Sequence, residues 1–329
     1  METTATVRDR TRTSAIRVRG LARTFTTKTG PVQAVNGLDF EVREGEIVGL
    51  LGPNGAGKTT TLRMIATLLA PTAGQARIAD ADLREAPREV RARIGYVAQG
   101  GMTNDDELVI DQLVLQARLF GLSKADATAS AEHLLRTLEL DGLGRRRCRE
   151  LSGGQRRRVD IALGLVHRPR LVYLDEPTTG LDPQSRANLW EHVRRLRSEG
   201  TTIVLTTHYL EEADALCDRI LVMDHGGIVA SGTPDELKQR ISGDVISLDI
   251  ADAQADLAIE IADSVLELRS KLRADGLVHL TVARGDAAVV PLLRALDEHG
   301  IVPGALTVKR PSLDDVFLTV TGRSLREGK

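Results

Sequence analysis

A glycine-rich stretch, GPNGAGKTT at residues 52–60, has the residue types and spacing of a phosphate-binding loop. Gly52, Gly55 and Gly57 allow the backbone to curl so that its N–H groups face phosphate oxygens. Lys58 brings a positive charge to the β- and γ-phosphates, and the Thr59 hydroxyl is suited to ligate Mg²⁺. The loop lies between an apolar run and a helical pattern, which is the context that the motif requires. We therefore predict a nucleotide-phosphate site formed by Gly52, Pro53, Asn54, Gly55, Ala56, Gly57, Lys58, Thr59 and Thr60.

Two adjacent carboxylates follow the apolar residues 171–174 in the segment RLVYLDEPTTGLDP. The apolar run predicts a buried strand whose carboxyl end delivers Asp175 and Glu176 to the edge where open α/β sheets bind ligands. Carboxylates at the end of an apolar strand are electrostatically costly unless a cation or a reaction needs them. We predict that Asp175 holds Mg²⁺ and that Glu176 orients and polarises an attacking water in phosphoryl transfer. The alternative is that both residues only cap the turn before Pro177.

Two further polar residues follow apolar runs that should end at the same edge of the sheet. Gln99 comes after residues 94–98, and His208 comes after residues 202–207. A glutamine amide can contact Mg²⁺ or water, and a neutral imidazole can bridge a γ-phosphate and a base. Either residue alone is more often an ordinary polar residue at a strand end. Their value as candidate site residues therefore depends on the order of all the motifs along the chain.

A second segment, ELSGGQRRRVDIALG at residues 150–164, also has the entry of a phosphate-holding helix but contains no lysine. A helix N-terminus contributes about 0.3 to 1 kcal/mol toward an anion at an exposed site. Ser152, Gly153, Gly154 and Gln155 therefore form a weak independent site. They are better suited to act as a lid over a phosphate that another element binds.

The elements that must position these residues alternate between strands and helices. This alternation predicts an α/β fold with a mainly parallel sheet covered on both faces. Short β-strands precede it, and a β-poor stretch with helical apolar spacing predicts an inserted helical subdomain. After a boundary in SGTPDELKQRISGD, a second alternation predicts a small α+β domain that resembles a ferredoxin-like sandwich. The predicted bounds are 1–14 for a disordered tail, 15–237 for the first domain with its helical subdomain at about 102–150, 243–322 for the second domain and 323–329 for a tail.

Composition narrows the classes of protein. The 329 residues suffice for about two domains. Apolar residues make up 42% and charged residues 27%, and the net charge of −2 argues against general attraction to nucleic acid or acidic lipid. Every apolar run is far shorter than the roughly 20 residues that cross a bilayer, so we expect any membrane role to be by association. The polar N-terminus does not predict a secretory signal.

Five motifs occur in the order Lys58, Gln99, LSGGQ, Asp175-Glu176 and His208. This order resembles that of the ATP-binding subunits of ABC transporters, and the resemblance covers residues from about 16 to 235. It implies a P-loop NTPase fold of the ABC type, with an N-terminal antiparallel β subdomain. It also implies that ATP and Mg²⁺ are bound and that ATP is hydrolysed.

The resemblance implies roles that the residues alone do not. The LSGGQ segment of one chain is implied to face the γ-phosphate that Lys58 holds in a second chain. The D-loop of the family corresponds to Leu181-Asp182-Pro183, which places Asp182 at the contact between the chains. Phe25 stands at the position of an aromatic residue that stacks on adenine, where the family more often has tyrosine. A phenylalanine that only packs in the core is the alternative for Phe25.

Within the family, the segments LDEPTTGLDP, TTHYLEEAD, CDRI, DHG and SLDDVFLTVTG resemble the daunorubicin-resistance type of drug-export ATPase. This implies a homodimer on the cytoplasmic face of the membrane, a permease subunit with about six transmembrane helices and a small-molecule substrate that the permease contacts. Asp111-Gln112-Leu113 departs from the Glu-Asn-Leu that is usual in relatives. Because this region is implied to face the permease, the departure leaves the partner and the substrate open.

Two alternatives remain open on the sequence. An ATPase that acts on nucleic acid or ribosomes would use the arginines at 145–147, 149 and 156–158, but few aromatic residues lie among them and the chain is not basic overall. We therefore favour a solvated face for this cluster and expect no nucleic acid partner. The second alternative is an import-type ABC ATPase or a non-transport regulatory module, because the ATP-binding motifs do not reveal the direction of transport.

Overall fold

The computed structural model describes residues 13–241, 243–274, 277–309 and 312–321. The two predicted tails, except for Thr13 and Ser14, lie outside the described residues. The chain forms two compact units that divide between Ser231 and Gly232. The predicted boundary was later, after residue 237. The short helix that begins at Pro234 instead belongs to the second unit, because it packs against the helix that begins at Leu313.

The first unit contains most of the helices and strands. In chain order these elements are β1 (Ser14–Thr27), β2 (Gly30–Arg43), β3 (Ile47–Leu51), α1 (Lys58–Ile65), β4 (Ala73–Ile78), β5 (Ala81–Asp82), α2 (Pro87–Arg93), β6 (Ile94–Val97), α3 (Val109–Leu119), α4 (Lys124–Thr137), a 3₁₀ turn (Cys148–Glu150), α5 (Gly153–Leu165), β7 (Leu171–Asp175), α6 (Pro183–Ser198), β8 (Thr202–Thr207), α7 (Leu210–Leu216), β9 (Arg219–Asp224) and β10 (Gly227–Gly232).

Two sheets organise this unit. The first has the order β2-β1-β4-β5 and is built on a long antiparallel hairpin. The second has the order β10-β9-β3-β8-β7-β6, and its strands from β9 to β6 are parallel neighbours. Every residue of β3, β7 and β8 is buried, which explains why their sequences lack the alternation of apolar and polar residues that a strand with one solvated face has. The prediction of an α/β fold with a mainly parallel sheet is confirmed.

The register of the parallel sheet fixes where the site lies. Leu51 pairs with Thr207, and Asp175 pairs with Thr206. The carboxyl ends of β3, β8 and β7 therefore meet at one edge of the sheet, where the glycine-rich loop, the two carboxylates and His208 follow the strands.

Helices α3 and α4 and the 3₁₀ turn occupy the stretch in which we expected a helical subdomain. Leu113, Leu134 and Leu135 are buried there, as their spacing predicts. The apolar pattern also includes Leu119, but Leu119 is 74% exposed, because six residues separate it from Leu113 and place it about 120° away around the helix. Within the described ranges, no helix combines the length and the apolar character needed to cross a bilayer.

The second unit has the strand order β12-β13-β11-β14, with all neighbours antiparallel and with α9 and α10 packed together. This β-α-β-β-α-β order is that of a ferredoxin-like sandwich. The apolar residues at 265–269 and 301–308 predict two of these strands, and both strands begin later than predicted. Residue 265 ends a helix instead of beginning a strand, and Pro303 and Gly304 delay the last strand to residue 306. Its elements are α8 (Pro234–Ile241), β11 (Asp244–Asp249), a 3₁₀ turn (Asp252–Gln254), α9 (Ala255–Val265), β12 (Leu268–Ala274), β13 (Leu277–Val282), α10 (Gly285–Glu298), β14 (Leu306–Lys309) and α11 (Leu313–Thr321).

Candidate active site

The glycine-rich loop connects β3 to α1, and its shape requires glycine at two positions. A Cβ atom on Gly52 would lie 2.3 Å from the carbonyl oxygen of Met223. Gly57 has a φ of 95°, and a Cβ atom there would lie 2.5 Å from the carbonyl oxygen of Ala34. Gly57 is the N-cap residue of α1, with no side chain to cap it. The first N–H groups of α1 are therefore available to an anion such as a phosphate.

Lys58 is buried at the start of α1 and turns back across the loop. Its Nζ donates to the carbonyl oxygen of Gly52 at 2.7 Å and to that of Pro53 at 3.0 Å. Nζ also lies 3.9 Å from Glu176 Oε1. Burial lowers the pKa of Lys58, while Glu176 and Asp175 act in the opposite direction. The ammonium group thus lies between the loop and the carboxylates, where it could contact a γ-phosphate.

Three hydroxyl groups hold the fully buried carboxylate of Asp175. Oδ1 accepts hydrogen bonds from Thr206 Oγ1 at 2.7 Å and from Thr59 Oγ1 at 2.9 Å. Oδ2 accepts one from the Tyr96 hydroxyl at 3.3 Å. The Thr59 hydroxyl and Asp175 therefore present adjacent oxygen atoms, which are the donors that Mg²⁺ prefers.

Glu176 lies beside Asp175 with its side chain toward the glycine-rich loop. Its Oε2 accepts hydrogen bonds from Gln99 Nε2 at 2.8 Å and from Thr179 Oγ1 at 3.1 Å, and it lies 3.3 Å from His208 Nδ1. The interaction with His208 is the main cause that lowers the pKa of Glu176 below its ordinary value of 4.5, and burial opposes it. The backbone of Glu176 is left-handed, with a φ of 44°, and its N–H donates to Thr206 Oγ1 at 2.9 Å. Such strain is common at functional sites.

These residues surround a cleft of about 450 Å³. The structure therefore brings together the predicted phosphate loop, both carboxylates, Gln99 and His208. The residues that line the cleft are Ala34, Asn54, Gly55, Gly57, Lys58, Thr59, Thr60, Gln99 and Glu176. Ala56 is buried beneath the loop, and its carbonyl oxygen accepts a hydrogen bond from the N–H of Gly226.

Phe25 lies on β1 opposite Val32 and is half-buried. It is not among the residues that line the cleft. The guanidinium carbon of Arg23 lies 4.6 Å from the centroid of its ring, so a cation–π contact engages the ring. Stacking of Phe25 on adenine stays a prediction.

The LSGGQ segment begins α5 with a capping box. Ser152 Oγ accepts from the N–H of Gln155 at 3.2 Å, and Gln155 Oε1 accepts from the N–H of Ser152 at 3.0 Å. Ser152 and Gly153 are exposed, and none of residues 152–155 lines the cleft. The structure therefore does not bring the segment to the phosphate loop of its own chain.

Asp182 is the N-cap residue of α6 and is exposed. Its carboxylate accepts hydrogen bonds from the N–H of Ser185 at 2.9 Å and from its hydroxyl at 2.6 Å, and these bonds lower the pKa of Asp182. A Cβ atom on Gly154 would lie 2.7 Å from Ser185 Oγ. The predicted D-loop and the LSGGQ segment are thus in contact through Ser185 within one chain.

Sequence reasoning missed four residues that shape the site. Thr206 and Tyr96 lie within strands that we read only as core, and Thr179 lies in the turn after Glu176. The fourth is Arg157, which we assigned to a solvated arginine cluster. That interpretation of Arg157 is wrong, because its side chain is only 7% exposed. A signal was present, since Arg157 lies at i,i+3 from Asp160, which is the only charged residue within the apolar run 159–165.

Family models match both units of the chain. Residues 35–179 match the ABC transporter model, and residues 232–321 match the C-terminal domain of DrrA1-3-like ATP-binding proteins. The doxorubicin resistance ATP-binding protein DrrA of Mycobacterium tuberculosis is 43% identical, over 93% of this chain and 93% of the relative. The daunorubicin resistance ATP-binding protein DrrA2 of Streptomyces coeruleorubidus is 41% identical, over 89% of this chain and 92% of the relative. This chain belongs to the daunorubicin-resistance type of ABC transporter ATP-binding subunits.

Further similarities agree with this family. The Nod factor export ATP-binding protein I of Ralstonia nicotianae is 38% identical, over 96% of each chain. The solved structure of an ATP-binding subunit of an ABC transporter is 29% identical, with a TM-score of 0.61, over 69% of this chain and 92% of that one. The resemblance stated from the motifs is therefore confirmed. The chain is an export-type ABC ATPase subunit that binds ATP, couples its hydrolysis to transport and works with a membrane permease.

Proposed function

We propose that this chain powers the export of a drug or another hydrophobic small molecule through a separate permease of about six transmembrane helices. Two copies of the chain bind two ATP molecules between them on the cytoplasmic face of the membrane. The observation that carries the proposal is the carboxylate of Glu176, which Gln99, Thr179 and His208 hold beside the phosphate loop. The names of the drug-resistance and Nod factor export relatives support a small-molecule substrate.

The geometry assigns a step of the reaction to each side chain. Glu176 accepts a proton from the attacking water, since its lowered pKa keeps it ionised at neutral pH. Gln99 and His208 hold this carboxylate and contact the water or the γ-phosphate. The ammonium group of Lys58 donates to the loop carbonyls in this structure and contacts the β- and γ-phosphates when ATP binds. Phe25 supplies a ring face for adenine.

We assign Mg²⁺ to the Thr59 hydroxyl and Asp175, with Gln99 as a third oxygen ligand. Mg²⁺ held by these residues would neutralise charge on the phosphates. The short contact between Thr59 Oγ1 and Asp175 Oδ1 fits such a site. Among the described residues, no three His, Cys, Asp or Glu side chains are placed to hold a metal ion, so the donor set proposed here is mixed.

Thr59→Ala is expected to raise the Mg²⁺ concentration for half-maximal ATP hydrolysis by at least about tenfold, because a metal ligand is lost. Thr59→Ser keeps the hydroxyl and is the matched control, with an expected change of less than about twofold. The measurement is phosphate release against total Mg²⁺. An unchanged Mg²⁺ requirement in Thr59→Ala would remove Thr59 from the metal site.

Transport itself tests the proposed function. In inverted membrane vesicles that contain the chain and its permease, ATP is expected to drive accumulation of daunorubicin, which corresponds to export from a cell. Lys58→Ala is expected to reduce accumulation to the level without ATP, because the γ-phosphate loses its cation. ATP-driven movement out of such vesicles would instead identify an importer. Absence of ATP-dependent movement for daunorubicin and for other hydrophobic drugs would contradict a drug substrate.

The LSGGQ segment explains why two copies are required. Its Ser152 is exposed and lies outside the cleft of its own chain, so it is free to contact the γ-phosphate bound by another chain. The γ-phosphate, which Ser152 contacts, is present in ATP and absent from ADP. Only a ligand that binds the closed dimer more tightly than the open one can drive closure. Asp182, exposed beside the segment, then lies at the contact between the two chains.

A further inference from the structure

The buried arginine of α5 contacts four backbone carbonyls near the catalytic centre. Arg157 Nη1 donates to the carbonyl oxygen of Ala98 at 2.6 Å. Its Nε donates to the carbonyl oxygen of Pro177 at 2.8 Å, and its Nη2 donates to those of Asp175 at 3.1 Å and Glu176 at 3.5 Å. One rigid, planar guanidinium group thus fixes the main chain of two separate segments.

These contacts lie next to both residues of a side-chain hydrogen bond in the proposed mechanism, the bond between Gln99 and Glu176. Ala98 immediately precedes Gln99, and the other three carbonyls belong to Glu176 and to the residues on either side of it. Gln99 Nε2 donates to Glu176 Oε2 at 2.8 Å. Arg157 therefore sets the distance between the main chains that carry the two partners, although it is not among the residues that line the cleft.

Asp160, one turn further along α5, fixes the segment that follows Gln99. Its Oδ1 accepts hydrogen bonds from the N–H of Met102 at 2.6 Å and from that of Thr103 at 3.0 Å. Its Oδ2 lies 3.8 Å from Arg157 Nη1, so the two buried charges compensate each other. The segment from Ala98 to Thr103 is thus hydrogen-bonded to α5 on both sides of Gln99.

The position of this arginine on α5 connects it to the LSGGQ segment. Helix α5 begins after its N-cap Ser152, and Arg157 lies about 7.5 Å further along the axis at 1.5 Å per residue. The helix is continuous from Gly153 to Leu165, so we expect it to move as one body. A displacement of Ser152 on contact with a γ-phosphate therefore displaces the guanidinium group.

We propose that Arg157 is a positioning residue that couples the LSGGQ segment to the Gln99–Glu176 pair. Closure of the lid of one site then aligns the base of the site that the same chain carries. The proposal rests on the proposed role of Glu176 as the base and of Ser152 as a lid. Stability alone does not explain the pair of Arg157 and Asp160, because replacement of both partners of a buried ion pair by well-packed apolar residues is often neutral or stabilising.

The test compares Arg157→Met with Arg158→Met in the full chain. Arg158 is the next residue of α5, but its partners are Glu139 and His192 and not the catalytic segments. We expect Arg157→Met to lower kcat for ATP hydrolysis by about 10- to 100-fold, because a small misplacement of a catalytic group has this effect. KM for ATP is expected to change by less than about twofold, since the arginine does not contact the nucleotide site. Arg158→Met is expected to keep the wild-type kcat.

A double-mutant cycle with Gln99→Ala separates coupling from general damage. If Arg157 acts through Gln99, the double variant is expected to be about as slow as Gln99→Ala alone. Fully multiplicative losses would overturn the coupling, and so would a folded Arg157→Met with the wild-type kcat. If Arg157→Met does not fold, Arg157→Gln keeps one donor and carries the same measurements. A Glu176→Gln variant that hydrolyses ATP normally would remove Glu176 from the role of base, on which the proposed mechanism and this inference both rest. An inactive Glu176→Gln beside an Arg157→Met with the wild-type kcat would overturn only this inference.

Discussion

Glu176→Gln is expected to slow ATP hydrolysis by about 10²- to 10⁴-fold while ATP still binds. The substitution keeps the size of the side chain and an oxygen that can accept from Gln99 and Thr179. It removes the negative charge that accepts the proton of the attacking water. Because the γ-phosphate contact then persists, we also expect the variant to accumulate as an ATP-held dimer.

Single-turnover phosphate release, with ATP affinity by calorimetry and mass by light scattering, measures these effects. Glu211→Gln is the matched control, because Glu211 is exposed and lies only three residues from His208. It makes the same chemical change and is expected to leave all three quantities unchanged. Normal turnover in Glu176→Gln would remove Glu176 from the role of base.

The pH dependence of this loss follows from the lowered pKa of Glu176. A carboxylate with a lowered pKa is ionised above that pKa and is protonated only as the pH falls through it. Glu176 is therefore ionised across the neutral range, and the ratio of wild-type to variant rates is expected to be constant between about pH 6 and 8. A ratio that rises with pH in this range would indicate a base with a higher pKa.

The edge of the sheet that carries the catalytic residues could be predicted from the sequence, because a parallel sheet brings residues that are distant along the chain close together. Neighbouring parallel strands end at the same edge of the sheet, so residues that directly follow these strands lie near one another. Lys58, Gln99 and Glu176 each follow such a strand and line one cleft. His208 also follows such a strand, and its Nδ1 lies 3.3 Å from Glu176 Oε2. Local chemistry was therefore sufficient for these residues.

The remaining site residues depend on contacts between distant segments, which local patterns do not encode. The carbonyls that Arg157 contacts belong to the ends of two different strands, so its burial follows from tertiary packing and not from its own neighbours. The boundary between the units was misplaced for the same reason. Helix α8, which lies at this boundary, is amphipathic whichever unit it belongs to. Only its contact with α11, which begins at Leu313, decides which unit buries its apolar face.

Ser152→Arg is expected to abolish most ATP hydrolysis without weakening ATP binding to an isolated chain. The exposed Ser152 lies outside the cleft of its own chain, so a larger side chain leaves that cleft intact. In a closed dimer it must fit between two chains, where overpacking costs about 1 to 3 kcal/mol per site. Two sites in a symmetric dimer double this cost, which weakens closure by roughly 30-fold or more.

Ser152→Arg removes the N-cap of α5 as well as the proposed lid contact, and a control variant must separate these two effects. Ser123 caps α4 as Ser152 caps α5, since Ser123 Oγ accepts from the N–H of Asp126 at 3.1 Å. Both serine-to-arginine changes are expected to cost about 1 kcal/mol of folding stability. Only Ser152→Arg is expected to lower ATP hydrolysis.

Mixing two inactive variants decides whether the lid acts on a second chain. In a mixed dimer of Lys58→Ala with Ser152→Arg, both defects fall on one composite site if the lid acts between chains, and the other site is intact. Random assembly makes half of the dimers mixed, so up to about a quarter of the wild-type activity is expected to return. If the LSGGQ segment served its own chain, every chain in the mixture would carry one defect in its only site. Mixing would then restore nothing, and the exposed position of Ser152 would need another explanation.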